Sequence, residues 1–447
     1  MTTVAAKTDV DALIDEGGFG RYQIFIIALC SGLMFLDGLD ANIVAFLAPT
    51  LAKLWKLGPH DLGFIFTVGV VSSALASLVN GPIADRSGRR RWTILYTAIF
   101  GVVTLASAFA QSGNQFALAR FVAGIGLGGA LPNAVALGVE FAPARRRGFT
   151  AIVLFSVFGF GQSFGGVLTA ALLRTLGWRV LVGLSGVVPL LLLILMTRSL
   201  PESIRFLAQQ RENSGKVIQV LQRIRPGWKP APGTSFAGGG VPEKARVRAL
   251  FEDGRAVTTI ALLIMAGLNN TEIAFLTFWL PSVIASSGGS IQVAALVTTT
   301  MVLTGIVGII LLGRVTDRVG HYPMLLGTNI LAVCSLAIFG GTMGNLIAML
   351  LIAGAIGIGV NGFQSVVNSL AASFYPTSIR TTGCGWVIAA GRVVGIAGPF
   401  VGGLLVGAKV PPTSIFLINA VLVGMSSICL LSTWRSRPRP STSPSVA

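Results

Sequence analysis

Apolar stretches recur along the chain at lengths able to cross a bilayer core, for which a helix needs roughly 20 residues. Flanking charges mark off twelve, near 22–46, 61–84, 92–111, 115–139, 148–173, 178–198, 256–285, 291–313, 322–342, 345–371, 382–407 and 413–434. Between the sixth and seventh lies a polar stretch, 199–255. It opens on a surface helix from Glu202 to Ile224 and passes into a Pro/Gly-rich segment around Pro226–Pro242. That segment lacks apolar periodicity and is expected to be a flexible linker. The pattern predicts an all-α membrane protein of twelve transmembrane helices. Its expected organisation is an N-terminal segment 1–21, a six-helix bundle 22–198, a central loop 199–255, a second six-helix bundle 256–434 and a tail 435–447.

Composition supports this. Of the 447 residues, 53% are hydrophobic and 11% charged, against about 25% charged in an ordinary soluble domain. A soluble fold could not hide so much apolar surface, so the lipid bilayer is the expected surrounding. The net charge of +17 would suggest nucleic acid in a soluble protein. Here 26 of the 33 Lys and Arg fall in, or at the border of, the segments that this topology places on the side of both termini, and 5 likewise on the opposite side. The positive-inside rule then puts both termini in the cytoplasm, in a bacterial inner membrane, and no nucleic-acid partner is expected. Cys30, Cys334, Cys384 and Cys429 lie far apart in apolar segments and read as packing thiols, with no metal site or disulfide implied. The first 21 residues mix acids and bases and lack the cationic start and apolar run of a signal peptide.

The chain also repeats itself. Gly81-Pro-Ile-Ala-Asp85-Arg86-Ser-Gly88 recurs as Gly313-Arg-Val-Thr-Asp317-Arg318-Val-Gly320, at a numbering offset of 232. At the same offset Asp37 falls on Asn269, Asp40 on Glu272 and Pro49 on Pro281. Phe141-Ala-Pro143 matches Phe374-Tyr-Pro376 at 233, each proline being followed four residues later by Arg147 or Arg380. One near-constant offset implies two parallel six-helix repeats about an axis normal to the membrane, with substrate expected near midplane between them.

These motifs resemble the major facilitator superfamily across nearly the whole chain. The G-x-x-x-D-R-x-G loop after the second and eighth spans carries the resemblance, as do Arg120-x-x-x-Gly124-x-Gly126-x-Gly128 in the fourth span and Leu200-Pro-Glu-Ser203 after the sixth. Within that superfamily, Asp37-Gly-Leu-Asp40 looks like the D-G-x-D signature of aromatic acid:proton symporters, and Gly129-Ala-Leu-Pro132-Asn133 with Glu140 points the same way. The resemblance implies the twelve-helix fold of the superfamily, a small aromatic carboxylate and protons as ligands, and a proton-linked role for Arg120.

Ionisable groups inside a bilayer are costly and mark function by default. Asp37 and Asp40 share a helix face one turn apart, Asp37 lying about 22 Å along the first span. Two carboxylates in a poorly hydrated cavity repel, so at least one is expected to hold a proton at neutral pH. The alternative is a structural pair bonded to neighbouring helices. Glu272, in Asn269-Asn270-Thr271-Glu272, is expected to face a cavity with its polar neighbours; the alternative is interhelical glue. Arg392 lies a dozen residues into the eleventh span, and its repeat equivalent is Gly159. Its planar fork suits a carboxylate, whether a substrate's or that of a buried Asp or Glu. Gln162, Asn361, Gln364 and Asn368 could meet a phenolic hydroxyl, the last three forming a stripe on the tenth span, and Phe275, Phe278, Trp279 and Phe363 could meet its ring or simply pack.

Arg120 and Glu140 stand twenty residues apart on one helix, about 30 Å, and cannot pair. Glu140 is expected in a charge cluster with Arg89, Arg90 or Arg147 at the cytoplasmic end. Asp85 and Arg86, with Asp317 and Arg318, are expected in the same gate, static bracing being the alternative. Arg380 matches Arg147 and falls in the same set. No Walker A loop, nucleotide fingerprint or metal-ligand cluster occurs, so no cofactor, ATP-driven step or enzymatic activity is expected. The reading is a monomeric, proton-coupled importer of a hydroxybenzoate or phenylpropanoate. The rivals are a carrier of a non-aromatic organic acid, a proton-driven efflux antiporter, or a transport-dead receptor with this fold.

Overall fold

The computed structural model describes residues 7–16, 18–210, 214–228, 230, 235–237, 247–376 and 378–435, with the backbone alone at 7–9, 235, 237, 317, 381 and 431–435. The chain divides into two compact units, Met1–Pro242 and Glu243–Ala447.

The first unit opens on a short helix α1 (Val10–Glu16), followed by α2 (Arg21–Trp55), α3 (Pro59–Ser87), α4 (Arg89–Ser107), α5 (Gly113–Glu140) and α6 (Arg147–Ser199). Two small helices close it, α7 (Ile204–Gln209) and α8 (Ser214–Ile224). The helix α6 is bent at Gly177, whose φ of 75° takes the chain out of helical conformation and splits it into two crossings. In the second unit come α9 (Ala256–Ser286), α10 (Ile291–Val319), α11 (His321–Phe339), α12 (Leu346–Phe374), α13 (Arg380–Gly395), α14 (Ala397–Gly407) and α15 (Pro412–Arg435). Ten helical stretches among the described residues are long and apolar enough to cross a membrane, α13 and α14 together making one. The bend in α6 makes one of the ten into two, and α4, 19 residues opening on three arginines, supplies the twelfth.

Each unit pairs its helices in the same way. In the first, α2 lies along α6, α3 along α5, and α4 between α5 and α6; in the second, α9 lies along α13, α10 along α12, and α11 between α12 and α15. The repeat reaches down to helix ends. Ser112 caps α5 by accepting from Gln115 N, and Asn345, its counterpart at an offset of 233, caps α12 by accepting from Ala348 N. Close crossings recur too. A Cβ on Gly124 would strike Ser72 Oγ and the Gly69 carbonyl of α3, and one on Gly357 would strike the Met301 carbonyl of α10. Small residues at these points let apolar helices approach without a hydrophobic drive to bring them together. Gly88 and Gly320, which close the two copies of the D-R-x-G loop, have φ of 97° and 94°, a turn that an L side chain resists.

The polar segments of the first unit pack beneath it. Val217, Leu221 and Ile224 line one face of α8 and join Val10, Ile14, Ile204 and Leu207 in one apolar cluster with the start of α2. The expectation of a single surface helix from Glu202 to Ile224 becomes two, and the expected linker carries structure. Ser235–Ala237 (β2) pairs in parallel with Lys7–Asp9 (β1), and the buried Phe236 ring lies 6.3 Å from that of Trp228. Three residues are too few for the alternation that announces a strand.

Candidate functional site

Four helices of the first unit bring together a buried ionic group. Arg120, eight residues into α5, donates from Nη1 to Asp40 Oδ2 of α2 at 2.7 Å and from Nη2 to Thr104 Oγ1 of α4 at 3.2 Å. Ser185 of α6 donates to Asp40 Oδ1 at 3.4 Å. The guanidinium stacks over the Phe116 ring, 5.5 Å from its centroid. The two charged side chains are 7% and 4% exposed. An ion pair at that depth gains strength from the low dielectric, and each charge is uncompensated without the other. Asp37, one turn before Asp40, is half-buried.

The second unit treats the equivalent place differently. Glu272 of α9 is fully buried, and neither carboxylate oxygen has a hydrogen-bond partner. Nearby, an amide cluster joins α9 to α12. Asn269 Nδ2 donates to Gln364 Oε1 and to Val360 O, Asn270 Nδ2 donates to the same Gln364 oxygen, and Gln364 Nε2 donates to Asn368 Oδ1 at 3.3 Å. Of the expected stripe, Asn361 stands apart. Its Nδ2 donates to Gly357 O of its own helix and abuts Gly305 of α10. Arg392 of α13 is exposed, and Gln162 of α6 is half-buried. Phe275, Trp279 and Phe363 are buried in the packing of the unit, the Trp279 indole donating to Pro399 O.

A second ionic network occupies the end of the first unit that carries the basic loops. Glu140, at the end of α5, accepts from Ser203 Oγ at 2.8 Å and Arg205 N at 2.9 Å, with Arg89 Nη1 3.6 Å away. Arg89 also holds Asp85, at 2.9 Å. Two expected partners of Glu140 go elsewhere. Arg90 caps the Leu200–Ser203 turn, its backbone N donating to Glu202 Oε1 and its side chain to the Leu200 and Thr197 carbonyls. Arg147 donates to Asp11 Oδ1 of α1 at 2.8 Å, and Arg205 donates to the same oxygen at 2.9 Å. The N-terminal segment thus supplies the acid. Arg86 is exposed. In the second unit Arg318 is exposed and Arg380 donates to Tyr375 O at 3.3 Å; the side chain of Asp317 lies outside the described residues.

Sequence reasoning singled out Asp40, Arg120 and Glu140 and missed Thr104, Ser185, Asp11 and Glu202. A lone charge in an apolar span demands a partner, and that rule could have joined Arg120 to Asp40. Nothing distinguishes Thr104 or Ser185 from other small polar residues in the spans.

Twelve crossings in two like-folded units, with a carboxylate–guanidinium pair sealed inside one, define a secondary-transporter fold. The Major Facilitator Superfamily model matches residues 30–290 and again 262–447, and the chain belongs to that superfamily. Among curated relatives it is 31% identical to the 4-hydroxybenzoate transporter PcaK of Pseudomonas putida, over 96% of this chain and 98% of that one. It is 32% identical to the gallate transporter of the same organism, over 98% and 97%. It is 29% identical to the 3-(3-hydroxy-phenyl)propionate transporter of Escherichia coli, over 93% and 95%. Among solved structures, the partially occluded inward-open xylose transporter XylE from E. coli matches with a TM-score of 0.69 at 18% identity, over 94% of this chain and 98% of that one, which speaks for the fold alone.

Proposed function

We propose that this chain is a proton-coupled importer of small aromatic carboxylates, seated in a bacterial inner membrane with both termini and the basic loops in the cytoplasm. The observation that carries the reading is the buried Asp40–Arg120 pair, in a chain whose curated relatives carry 4-hydroxybenzoate, gallate and hydroxyphenylpropionate. Asp40 takes a proton from the outer side, which cancels its attraction for Arg120 and loosens the joint between α2 and α5. Asp37, half-buried on the same face, is a further acid in reach of that step. Arg392 is the cation suited to a substrate carboxylate, and Asn269 and Gln364 supply amides for ring hydroxyls. The network of Asp85, Arg89, Glu140 and Arg147 acts as the cytoplasmic gate, with ionic contacts made in one state and broken in another.

Radiolabelled 4-hydroxybenzoate uptake by proteoliposomes under an imposed pH gradient, acid outside, tests the reading. The wild type should accumulate the acid against its gradient. The Asp40→Asn variant should lose accumulation and keep counterflow exchange, which needs no net proton movement. A wild-type protein indifferent to the pH gradient, or an Asp40→Asn variant with full accumulation, would sink the assignment.

A further inference from the structure

Glu272 has lost every partner that its counterpart keeps. Asp40 is held by Arg120 and Ser185, and Arg120 in turn by Thr104. At an offset of 232 or 233 the counterparts of Thr104, Arg120 and Ser185 are Leu336 or Ala337, Ile352 or Ala353, and Leu417 or Ile418. The second copy keeps the acid and has apolar residues at those three positions. Both Glu272 oxygens are buried without a donor. An isolated carboxylate is far too costly there, so the group is a neutral acid. As mere packing, a Leu or Met would serve better.

No charged neighbour alters this. The helices packed against α9 are α10, α12, α13, α14 and α15. Among these, α12 and α14 carry no ionisable residue. The ionisable residues of α10 are Arg314, Asp317 and Arg318, close to its end. Those of α15 are Cys429 and Arg435, also near its end, and those of α13 are Arg380, Cys384 and Arg392. Arg392 is the one base deep in a span. It is exposed, while the neighbouring Gly391 faces Asn270. No ion pair joins Arg392 to Glu272 among the described residues, where both Glu272 oxygens lack a partner.

A route leads away from the acid. Asn269 lies one turn before it on α9, and its buried Oδ1 has no donor, which leaves an acceptor unfilled on that side of the acid. The Asn269 amide bonds Gln364, Gln364 bonds Asn368, and Asn368 is exposed, nearer the basic end of α12. Amides do not pass protons, but a line of them orders the water that does.

We infer that Glu272 is a second proton carrier, loaded in the conformation seen here and emptied toward the cytoplasm along the Asn269–Gln364–Asn368 line. The inference rests on the proton-symport reading above. With Asp40 as the first carrier, two protons enter with each monoanionic substrate, so one net positive charge moves inward per turn. Transport is then driven by membrane potential even without a pH gradient.

The test is 4-hydroxybenzoate uptake into proteoliposomes at equal pH, with an inside-negative potassium diffusion potential set by valinomycin. One net charge supports about tenfold accumulation for each ~60 mV. The wild type should approach that ratio. Glu272→Gln, an isostere of the neutral acid, should keep accumulation driven by a pH gradient and lose the response to potential. A wild type driven by pH but blind to potential overturns the second carrier and leaves the first intact. So does a Glu272→Gln variant that still responds to potential. A wild type driven by neither gradient overturns the symport reading and this inference with it. The wild-type measurement decides even if the variant folds poorly.

Discussion

Asp40 and Glu272 occupy the same place in two copies of one helical plan, yet their surroundings are opposite. In the first unit Arg120 and Ser185 donate to the acid, and Thr104 accepts from the arginine in turn. In the second, neither oxygen of the acid has a hydrogen-bond partner among the described residues. The contrast extends to the basic end. Arg89 and Arg90 of the first unit hold Asp85, Glu140, Glu202 and two backbone carbonyls. Their counterparts at the repeat offset are His321 and Tyr322, and the His321 ring meets Ser369 Oγ at 3.0 Å. The repeats share their helix packing and differ in their charge. What a repeat must preserve is the shape of its crossings, at places such as Gly124 and Gly357; polar groups can then diverge and give the halves different work.

The comparison is broken most severely at Arg120. Arg120→Ala leaves Asp40 buried without its cation, which should cost about 3–5 kcal/mol and lower the melting temperature in detergent. Adding Asp40→Asn should recover most of the loss, because the amide needs no counter-ion. Glu272→Gln should leave melting nearly unchanged, since it replaces one neutral group by another of the same shape. If Arg120→Ala melts like the wild type, the pair is not the strong joint that its burial indicates.

Much of the fold is legible in the chain because bilayer thickness sets one length for every crossing and the basic loops mark one side. The bend at Gly177 is legible as the charged gap around Arg174 and Arg179, although the helix runs through it. The site is half-legible. Asp40, Arg120 and Glu272 announce themselves as charges in hydrocarbon, but which charges meet depends on where helices distant in sequence cross, and hydropathy carries no such information. Asn361 shows the limit well. Its spacing with Gln364 and Asn368 suggests one polar face, while in space it fills the crossing with α10 where Gly305 has no side chain. The docking of the N-terminal segment was hidden for another reason. It rests on one apolar face of α8 and on Asp11, a single acid in a run of mixed charge.

Asp11 gives the next, smaller effect. It joins Arg147 at the start of α6 to Arg205 of α7, with its side chain 22% exposed. Charged hydrogen bonds contribute about 1.5–3 kcal/mol when buried, and solvent screening brings this pair of contacts to about 1 kcal/mol. Asp11→Asn should lower melting slightly and make the N-terminal segment cleave faster in limited proteolysis. Unchanged cleavage would mean that the apolar contacts of Val10 and Ile14 hold the segment unaided.

The smallest effect on stability belongs to Asp85, and it separates a gate from a brace. Its pair with Arg89 is an i,i+4 contact on a helix surface, with the Asp85 side chain 60% exposed. Such pairs contribute about 0.5 kcal/mol or less, so Asp85→Asn should melt with the wild type. Its effect on state populations is another matter. Arg89 is shared between Asp85 and Glu140, the latter at 3.6 Å, and removal of Asp85 leaves the guanidinium to close on the buried acid. If Asp85 helps hold the cytoplasmic side shut by contacts that exist only in that state, its loss shifts the population toward inward-open forms. Single cysteines placed at the basic ends of α12 and α13 should then react faster with a membrane-impermeant reagent added from the cytoplasmic side. The His321 position of the second unit, which has no such arginine, serves as the internal control: His321→Ala should leave those rates alone. Equal reactivity in Asp85→Asn and wild type would make the loop of the first unit a brace, and the charge that distinguishes the two repeats there would be structural.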